Sequence, residues 1–418
     1  MNLQAFIAKR SLLWGNKDFL VFWGGQSLSQ IGSRMTREGI PLAAVITLGT
    51  SPMMMGWIQV ISTLPVIFLG LIVGVLMDRL PRRPFLIITD LLRFLVLIII
   101  PVAALTGWLH LWVLMVTSAI ISTLSLVFTV AYESYLPNFV GRQLLVEANT
   151  KLSITDSFAE IIGPGLAGLL VQLITAPMAV LLDAFTYLFS ALSILSIHHP
   201  ETFYLNKVKP LHLRDDIREG WRAITDNPIL FALMMAAATS SIFSGIVFTM
   251  DVLFAIRTLH IGAALFGLTV TFGGVGAIIG ATFAQPLLRR FGYGLLLVMS
   301  ALLNGVCAWL IPLAHGPVWM AALFLIGAQL FGDLFGVIYG VLESSLRQAV
   351  TRDEVLGRVN STMNLLTAIL SSLGSLLGGW IAMIYSLRIA MTVGVVGITI
   401  SALWLLAKPI LNIREDFI

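Results

Sequence analysis

The 418-residue chain contains one cysteine, Cys307. An intrachain disulfide is therefore excluded, and a metal centre built on several thiolates cannot form. Histidine is nearly as scarce, with six scattered residues and no metal-ligand spacing among them. No G-x-x-x-x-G-K-[ST] sequence occurs, so direct drive by nucleotide hydrolysis is unsupported, and Gly273-Gly274-Val275-Gly276 lies within an apolar run, where it reads as packing. No enzyme signature is present, and neither a resident cofactor nor a metal is expected. Charge is the largest shortage. Charged residues make up 11% of the chain, against about 25% in soluble domains. The net charge of +4 is spread over short segments with no continuous basic patch, which excludes nucleic acid as a partner.

What fills the chain instead is apolar: hydrophobic residues reach 58%, and a chain of this composition needs lipid as its solvent. A spanning helix takes about 20 mostly apolar residues. By that measure spans are expected near 18–46, 53–77, 84–106, 109–132, 153–175, 177–198, 228–256, 262–288, 292–313, 317–341, 359–384 and 387–409. The expected fold class is an all-α membrane protein of twelve transmembrane helices in two pseudo-symmetric six-helix bundles. Its organisation would be 1–198, a cytoplasmic linker at 199–227, and 228–418. Of the 25 Lys and Arg residues, 20 lie in the two tails and in the connections that share their side. The positive-inside rule then puts both termini in the cytoplasm of a multi-pass cytoplasmic-membrane protein. Within the linker, Leu213, Ile217 and Trp221 recur every four residues with charges between them, the pattern of an amphipathic helix on the membrane face.

The two halves repeat. Glu133-Ser134 and Glu343-Ser344 are separated by 210 positions; Asn149 and Asn360, Gly163 and Gly374, and Gly168 and Gly379 are each separated by 211. The basic segment 285–290 follows 78–83 at an offset of 207. Agreement at four places points to duplication of a six-helix unit, an arrangement found in transporters.

Gly74-Val75-Leu76-Met77-Asp78-Arg79-Leu80-Pro81-Arg82-Arg83 packs three arginines and one acid into the turn between spans 2 and 3. Its G-x-x-x-D-R-x-x-R-R spacing resembles the loop 2–3 signature of the major facilitator superfamily of secondary transporters. Ser134-Tyr135-Leu136-Pro137, Glu147-Ala148-Asn149, Asp183-Ala184-Phe185 and Gly357-Arg358-Val359-Asn360 resemble the branch that contains the enterobactin exporter and the macrolide efflux proteins. The resemblance implies a cytoplasmic gate formed by Gly74, Asp78, Arg79, Arg82 and Arg83 with Glu133, clamping loop 2–3 to the start of span 11. Pro81 stands where the family has glycine, and Gln285 replaces the acid in the second copy, so the clamp is expected on one side only. For Arg82 and Arg83, anchoring at lipid headgroups is the competing reading.

Intramembrane charge marks the remaining candidates, because ionised groups in a bilayer face a cavity and pair. Arg34, Arg37 and Glu38 fall inside span 1; Arg34 and Glu38 share a helical face. They are read either as a substrate-cavity cluster or as a pair that holds the helix in register. Asp156 and Glu160 share a face of span 5, and two like charges so placed resist being ionised together. With the isolated Asp333 of span 10 they are the candidates for proton coupling, Glu160 first. Gly163-Pro164-Gly165-Leu166-Ala167-Gly168 follows, a place for helix packing and a bend, and resembles a shortened form of the span 5 motif of exporters. Asp90 with Arg93, and Asp183, read as structural.

The expected function is secondary active transport: proton-coupled efflux of small amphipathic molecules of drug, macrolide or siderophore type by a monomer in the lipid bilayer, with the proton gradient as its only energy source. A proton or sodium symporter for uptake, and a non-transporting sensor or lipid translocase, are the alternatives.

Overall fold

In the computed structural model residues 12–77, 80–141, 143–197 and 213–411 are described, and among them every regular element is helical. The long helices are α1 (Lys17–Leu42), α2 (Pro52–Met77), α3 (Arg82–Leu105), α4 (Leu111–Val140), α5 (Leu145–Ile174), α6 (Ala176–Leu195), α7 (Leu213–Asp226), α8 (Pro228–Leu253), α9 (Ala263–Phe291), α10 (Tyr293–Ala308), α11 (Val318–Val350), α12 (Asp353–Ile384) and α13 (Leu387–Ser401). Helices are the expected solution, since a backbone in hydrocarbon must satisfy its own hydrogen bonds.

Eleven helices among the described residues are long and apolar enough to cross a membrane. The expected count was twelve; the helix that falls short is α1. At 26 residues and 1.5 Å per residue it is about 39 Å long, more than the roughly 30 Å hydrocarbon core. Its five charged side chains and its run of Gln and Ser residues leave it too polar by composition. A helix this polar is stable in a membrane protein only if neighbours cover its charges.

The helices gather into two compact units. The first comprises residues 1–43 and 64–209, the second 44–63 and 210–418. In the first, α1 packs on α5 and α6, and α3 packs on α4 and α6. Its buried core includes Phe19, Phe22, Phe128, Ala131, Tyr135, Phe139 and Leu152. In the second, α8 packs on α12 and α13, and α11 packs on α9 and α10, around Leu233, Leu297, Ile338, Leu342, Val359 and Leu405. The first stretch of α2 belongs to this second unit, where Gly56 meets the Ser375 carbonyl and Gly379 meets the backbone at Met53.

The helices carry the repeat in detail. Asn16 caps α1 by accepting from Phe19 N, and Asn227 caps α8 by accepting from Ile229 N and Leu230 N; such caps satisfy otherwise orphaned first-turn donors. Both helices end in a five-residue π turn, at Ala43–Thr47 and Phe254–Thr258. The residues that follow, Gly49 and His260, both have positive φ, 61° and 54°. Every one of these pairs lies 211 positions apart.

Helix α7 exists as the periodicity predicts, and Ile217 and Trp221 of its apolar stripe do not face the protein. Gly220 and Ile224 are buried, with Gly220 seated against the Arg358 carbonyl of α12, and Ile217 and Trp221 remain exposed. Arg358 Nη1 and Glu219 Oε2 lie 2.8 Å apart along the same contact.

Candidate functional site

The charged residues of α1 and α5 meet. Gly163 on α5 makes this contact, because any side chain there would strike Arg34 Cβ. Arg34 Nη2 donates to Asp156 Oδ1 at 2.9 Å and Arg34 Nη1 also engages Glu160. Arg37 Nη2 donates to Glu160 Oε1 at 2.7 Å, and Arg37 Nε lies 3.5 Å from Glu38 Oε1. The Arg34–Asp156 and Arg37–Glu160 contacts are charge-assisted hydrogen bonds, so Asp156 and Glu160 are each held by at least one guanidinium. The candidates read from sequence as two separate groups, a substrate cluster on span 1 and a proton pair on span 5, are one five-residue network. Arg34 bonds across to α5, so the expected pairing with Glu38 along its own helix gives way. Asp156 and Glu160 are likewise not an uncompensated acid pair.

The network forms part of the wall of a cavity of about 840 Å³ lying wholly within the first unit. Arg34, Arg37 and Asp156 line it, together with Arg93 of α3 and Glu133 of α4. The remainder of the wall is mostly uncharged and polar: Gln26, Ser29, Gln30 and Ser33 from α1, Ser125 and Thr129 from α4, Asn149, Ser153 and Ser157 from α5. Phe128 and Tyr132 contribute rings, and Tyr132 stacks on Phe22 with centroids 5.9 Å apart. Such a wall offers hydrogen bonds in both senses beside charges of both signs.

A second polar layer supports the first. Arg93 is 4% exposed; its Nη1 donates to Asp90 Oδ1 at 3.1 Å, its Nη2 to the Leu124 carbonyl at 3.1 Å, and its guanidinium lies over the rings of Phe128 and Tyr187. The Asp90–Arg93 pair is thus structural, as the spacing implies, yet it also places a cation at the cavity wall. Asp183 is fully buried and accepts from Thr186 Oγ1 at 2.9 Å, in space left by Gly32 of α1. Ser33 Oγ and Tyr187 OH are 2.9 Å apart, and Gln26 Nε2 donates to Ser190 Oγ at 2.8 Å. Sequence reading missed Arg93 and the serines as cavity residues. The only available signal was the unusual density of Ser and Gln on one helix, α1.

The remaining candidates lie elsewhere. Asp333 belongs to α11 in the second unit, where its carboxylate fills the space left by Gly273 on α9. Pro164 sits inside α5, which runs unbroken from Leu145 to Ile174, with Gly163 and Gly168 buried and Gly165 partly so. Of the expected gate, Gly74 falls within α2, while Asp78 and Arg79 lie outside the described residues. Arg83 has a definite place: its Nη2 donates to the carbonyls of Ile194, Leu195 and Ile197, at 3.3, 3.0 and 2.6 Å. These carbonyls lie at and just beyond the C-terminus of α6, where a cation complements the helix dipole. Arg83 thus ties the start of α3 to the end of α6.

Comparison with known proteins adds the following. The family model described as transmembrane secretion effector (MFS_3) matches residues 14–417. An uncharacterized MFS-type transporter of Bacillus subtilis (strain 168) is 24% identical over 233 residues, covering 55% of this chain and 54% of the relative. Macrolide efflux protein A of Streptococcus pyogenes is 23% identical over 218 residues, covering 52% and 53%. The chain thus spans about half the length of the curated relatives it matches. Among solved structures, a bacterial homologue of the iron transporter ferroportin in an inward-facing state superposes with a TM-score of 0.75 at 15% identity, over 93% of this chain and 98% of that one. The nucleoside transporter NupG gives a TM-score of 0.72 at 12% identity, over 95% and 100%. At these identities the structures speak for the fold alone.

Proposed function

Because the chain belongs to the transmembrane secretion effector family of the major facilitator superfamily, we propose that it exports small amphipathic molecules by alternating access, driven by the proton gradient. The observation that carries this reading is the cavity of the first unit, with Arg34, Arg37 and Asp156 of the α1–α5 ionic network in its wall. A membrane protein maintains intramembrane ions when they move a substrate or a proton. The name of one relative, macrolide efflux protein A, is consistent with the export direction. The polar wall suits the hydroxyls, amides and sugars of an amphipathic solute, and Phe128 and Tyr132 supply the apolar contact.

In this reading Arg34, Arg37 and Arg93 orient the substrate, and one carboxylate of the α1–α5 network carries the proton. Gly74, Asp78, Arg79, Arg82 and Arg83, with Glu133, form the cytoplasmic gate. The protein works as a monomer in the cytoplasmic membrane with both termini inside, in keeping with the distribution of Lys and Arg. Everted vesicles carrying the protein test the proposal. An imposed inward-acidic gradient is expected to drive accumulation of radiolabelled erythromycin or of ethidium, and collapse of the gradient to release it. Accumulation in right-side-out vesicles instead would identify an importer, and gradient-independent behaviour with every probe of a broad toxic-compound panel a protein that does not transport by this route.

A further inference from the structure

The α1–α5 network is unbalanced. It contains two guanidiniums, Arg34 and Arg37, and three carboxylates, Glu38, Asp156 and Glu160. Asp156 and Glu160 take the short contacts and are substantially exposed, with 46% and 39% of their side-chain surface open. Glu38 is what remains. It is 7% exposed, and its ion-pair contact is to Arg37 Nε at 3.5 Å, well beyond the roughly 2.7–2.9 Å of a charge-assisted hydrogen bond. That same guanidinium already bonds Glu160 through Nη2. A buried carboxylate with only a shared, distant counter-ion is costly in its ionised form, and a proton is the simplest way to neutralise it.

The groups brought to this part of α1 do not remove the imbalance. From α5 come Asp156 and Glu160, both acidic; from α6, which packs along the other side, come Asp183 and Tyr187, neither of them a cation; from α4 comes Glu133, and the further cation at the cavity wall, Arg93 of α3, bonds Asp90 and the Leu124 carbonyl. The backbone beside Glu38 is also the least regular part of α1. Pro41 cannot donate to the carbonyl four residues before it, that of Arg37. The π turn Ala43–Thr47 follows at once; such turns mark functional positions more often than regular helix does. The position equivalent to Glu38 in the second repeat is Thr249, so the feature exists once per chain.

We propose that Glu38 is the proton-carrying carboxylate of this protein, with Asp156 and Glu160 engaged by Arg34 and Arg37. Glu38 takes a proton from water to become a neutral carboxyl, and returns it to water to regenerate the carboxylate; no other group changes state. The inference rests on the proton-driven reading above for its purpose, but the site can be tested without any substrate. The purified full-length protein, reconstituted in phosphatidylethanolamine–phosphatidylglycerol liposomes, is titrated while its infrared difference spectrum is recorded. The wild type is expected to show a protonated-carboxyl band that titrates and that shifts on labelling with carboxyl-13C glutamate, not with labelled aspartate. Glu38→Gln is expected to lose the band and Glu160→Gln to keep it. A band absent from the wild type, unmoved by labelled glutamate, kept by Glu38→Gln or lost in Glu160→Gln would overturn the assignment. The labelling arm uses the unmodified protein, so poor folding of a variant does not blunt the test. If the band behaves as expected and pH-driven flux of erythromycin is absent in vesicles, the efflux reading falls and the proton site stands.

Discussion

Positions 34 and 160 in the first unit correspond, at an offset of 211, to positions 245 and 371 in the second. The first pair is Arg34 and Glu160, joined as ions across the α1–α5 contact. The second is Gly245 and Ser371, where the glycine lies directly under the serine carbonyl at the α8–α12 contact. One duplicated helix crossing is thus held in two ways. Nearby positions follow suit: Gly163 accommodates the Arg34 side chain, and its counterpart Gly374 accommodates the Ile242 backbone carbonyl. The pattern extends along the helices. Glycines of α1 make room for side chains, Ser193 at Gly25, Asp183 and Thr186 at Gly32. On α9, Gly276 and Gly280 make room for backbone, at Leu330 and Leu334, and Gly273 alone of the three meets a side chain, Asp333. In lipid there is no hydrophobic drive between helices, so close backbone approach and polar pairs are the two available adhesives. The second unit uses the first adhesive and leaves its helices without charge at this crossing. The first unit uses the second, and so keeps ionisable groups beside a cavity.

The comparison breaks first where bulk replaces contact. Transplanting the ionic pair, as Gly245→Arg with Ser371→Glu, is expected to abolish a monodisperse folded species in detergent, because backbone cannot retreat from a side chain as a rotamer can. Gly245→Ala alone is expected to cost roughly 1–3 kcal/mol, the usual range for overpacking. Gly32→Ala in the first unit should cost less, since Thr186 and Asp183 can turn aside. Thermal unfolding of the three variants checks the order; equal losses for Gly32→Ala and Gly245→Ala would erase the distinction between the units.

Removing charge ranks next. Arg34→Gln strands Asp156 and leaves Glu160 to Arg37 alone. Breaking a fully buried pair costs about 3–5 kcal/mol, but these carboxylates are partly exposed, which brings the expected loss to about 1–2 kcal/mol. The double variant Arg34→Gln, Glu160→Gln should be less damaged than the sum of the singles, and a double-mutant cycle measures the coupling. Additive losses would mean that the contact carries no net energy.

How far this was legible in sequence differs between the units for a physical reason. The all-helical membrane character, the family and the offset near 211 follow from hydropathy and from repeated short strings. The charged members of the site were visible too, because an ion in an apolar run is conspicuous. Their partners were not. Arg34 and Asp156 are 122 positions apart, and helical periodicity reports only neighbours three or four residues away. The glycine contacts of the second unit leave no chemical trace beyond the glycines themselves, which read equally well as packing against side chains. Arg83 was named for a gate on the strength of its spacing; its bonds to the carbonyls at the end of α6 depend on where that helix stops, which side-chain patterns leave uncertain by a few residues.

Arg83 supplies a smaller test within the first unit. Arg83→Gln should expose the carbonyls at 194–197 and cost about 1 kcal/mol, within the range for a cation at a helix C-terminus. Amide exchange is expected to rise in the last turn of α6 and not in α1 or α5. Arg83→Lys, which keeps the charge and loses the planar fork, should recover part of the protection. Exchange rising evenly through the unit would show that Arg83 matters to global stability instead of to this helix end.

The smallest effect is expected where the second unit does carry an ion pair. Arg358 and Glu219 join α12 to α7 at 2.8 Å, but 38% and 50% of their side-chain surfaces are open. Exposed pairs of this kind contribute at most about 1 kcal/mol and are screened by salt. What fixes α7 on α12 is instead the fit of Gly220 against the Arg358 carbonyl and the burial of Ile224. Glu219→Gln should therefore shift the unfolding midpoint barely, and less still at high salt. Ile224→Ala, which removes a fully buried side chain, should cost about 2–5 kcal/mol, and Gly220→Leu should detach the helix, read as increased exchange from 213 to 226 and a changed environment for Trp221. A large loss on Glu219→Gln with little effect of Gly220→Leu would reverse the argument. It would place charge, not close approach, at the joint of the second unit and remove the contrast between the two.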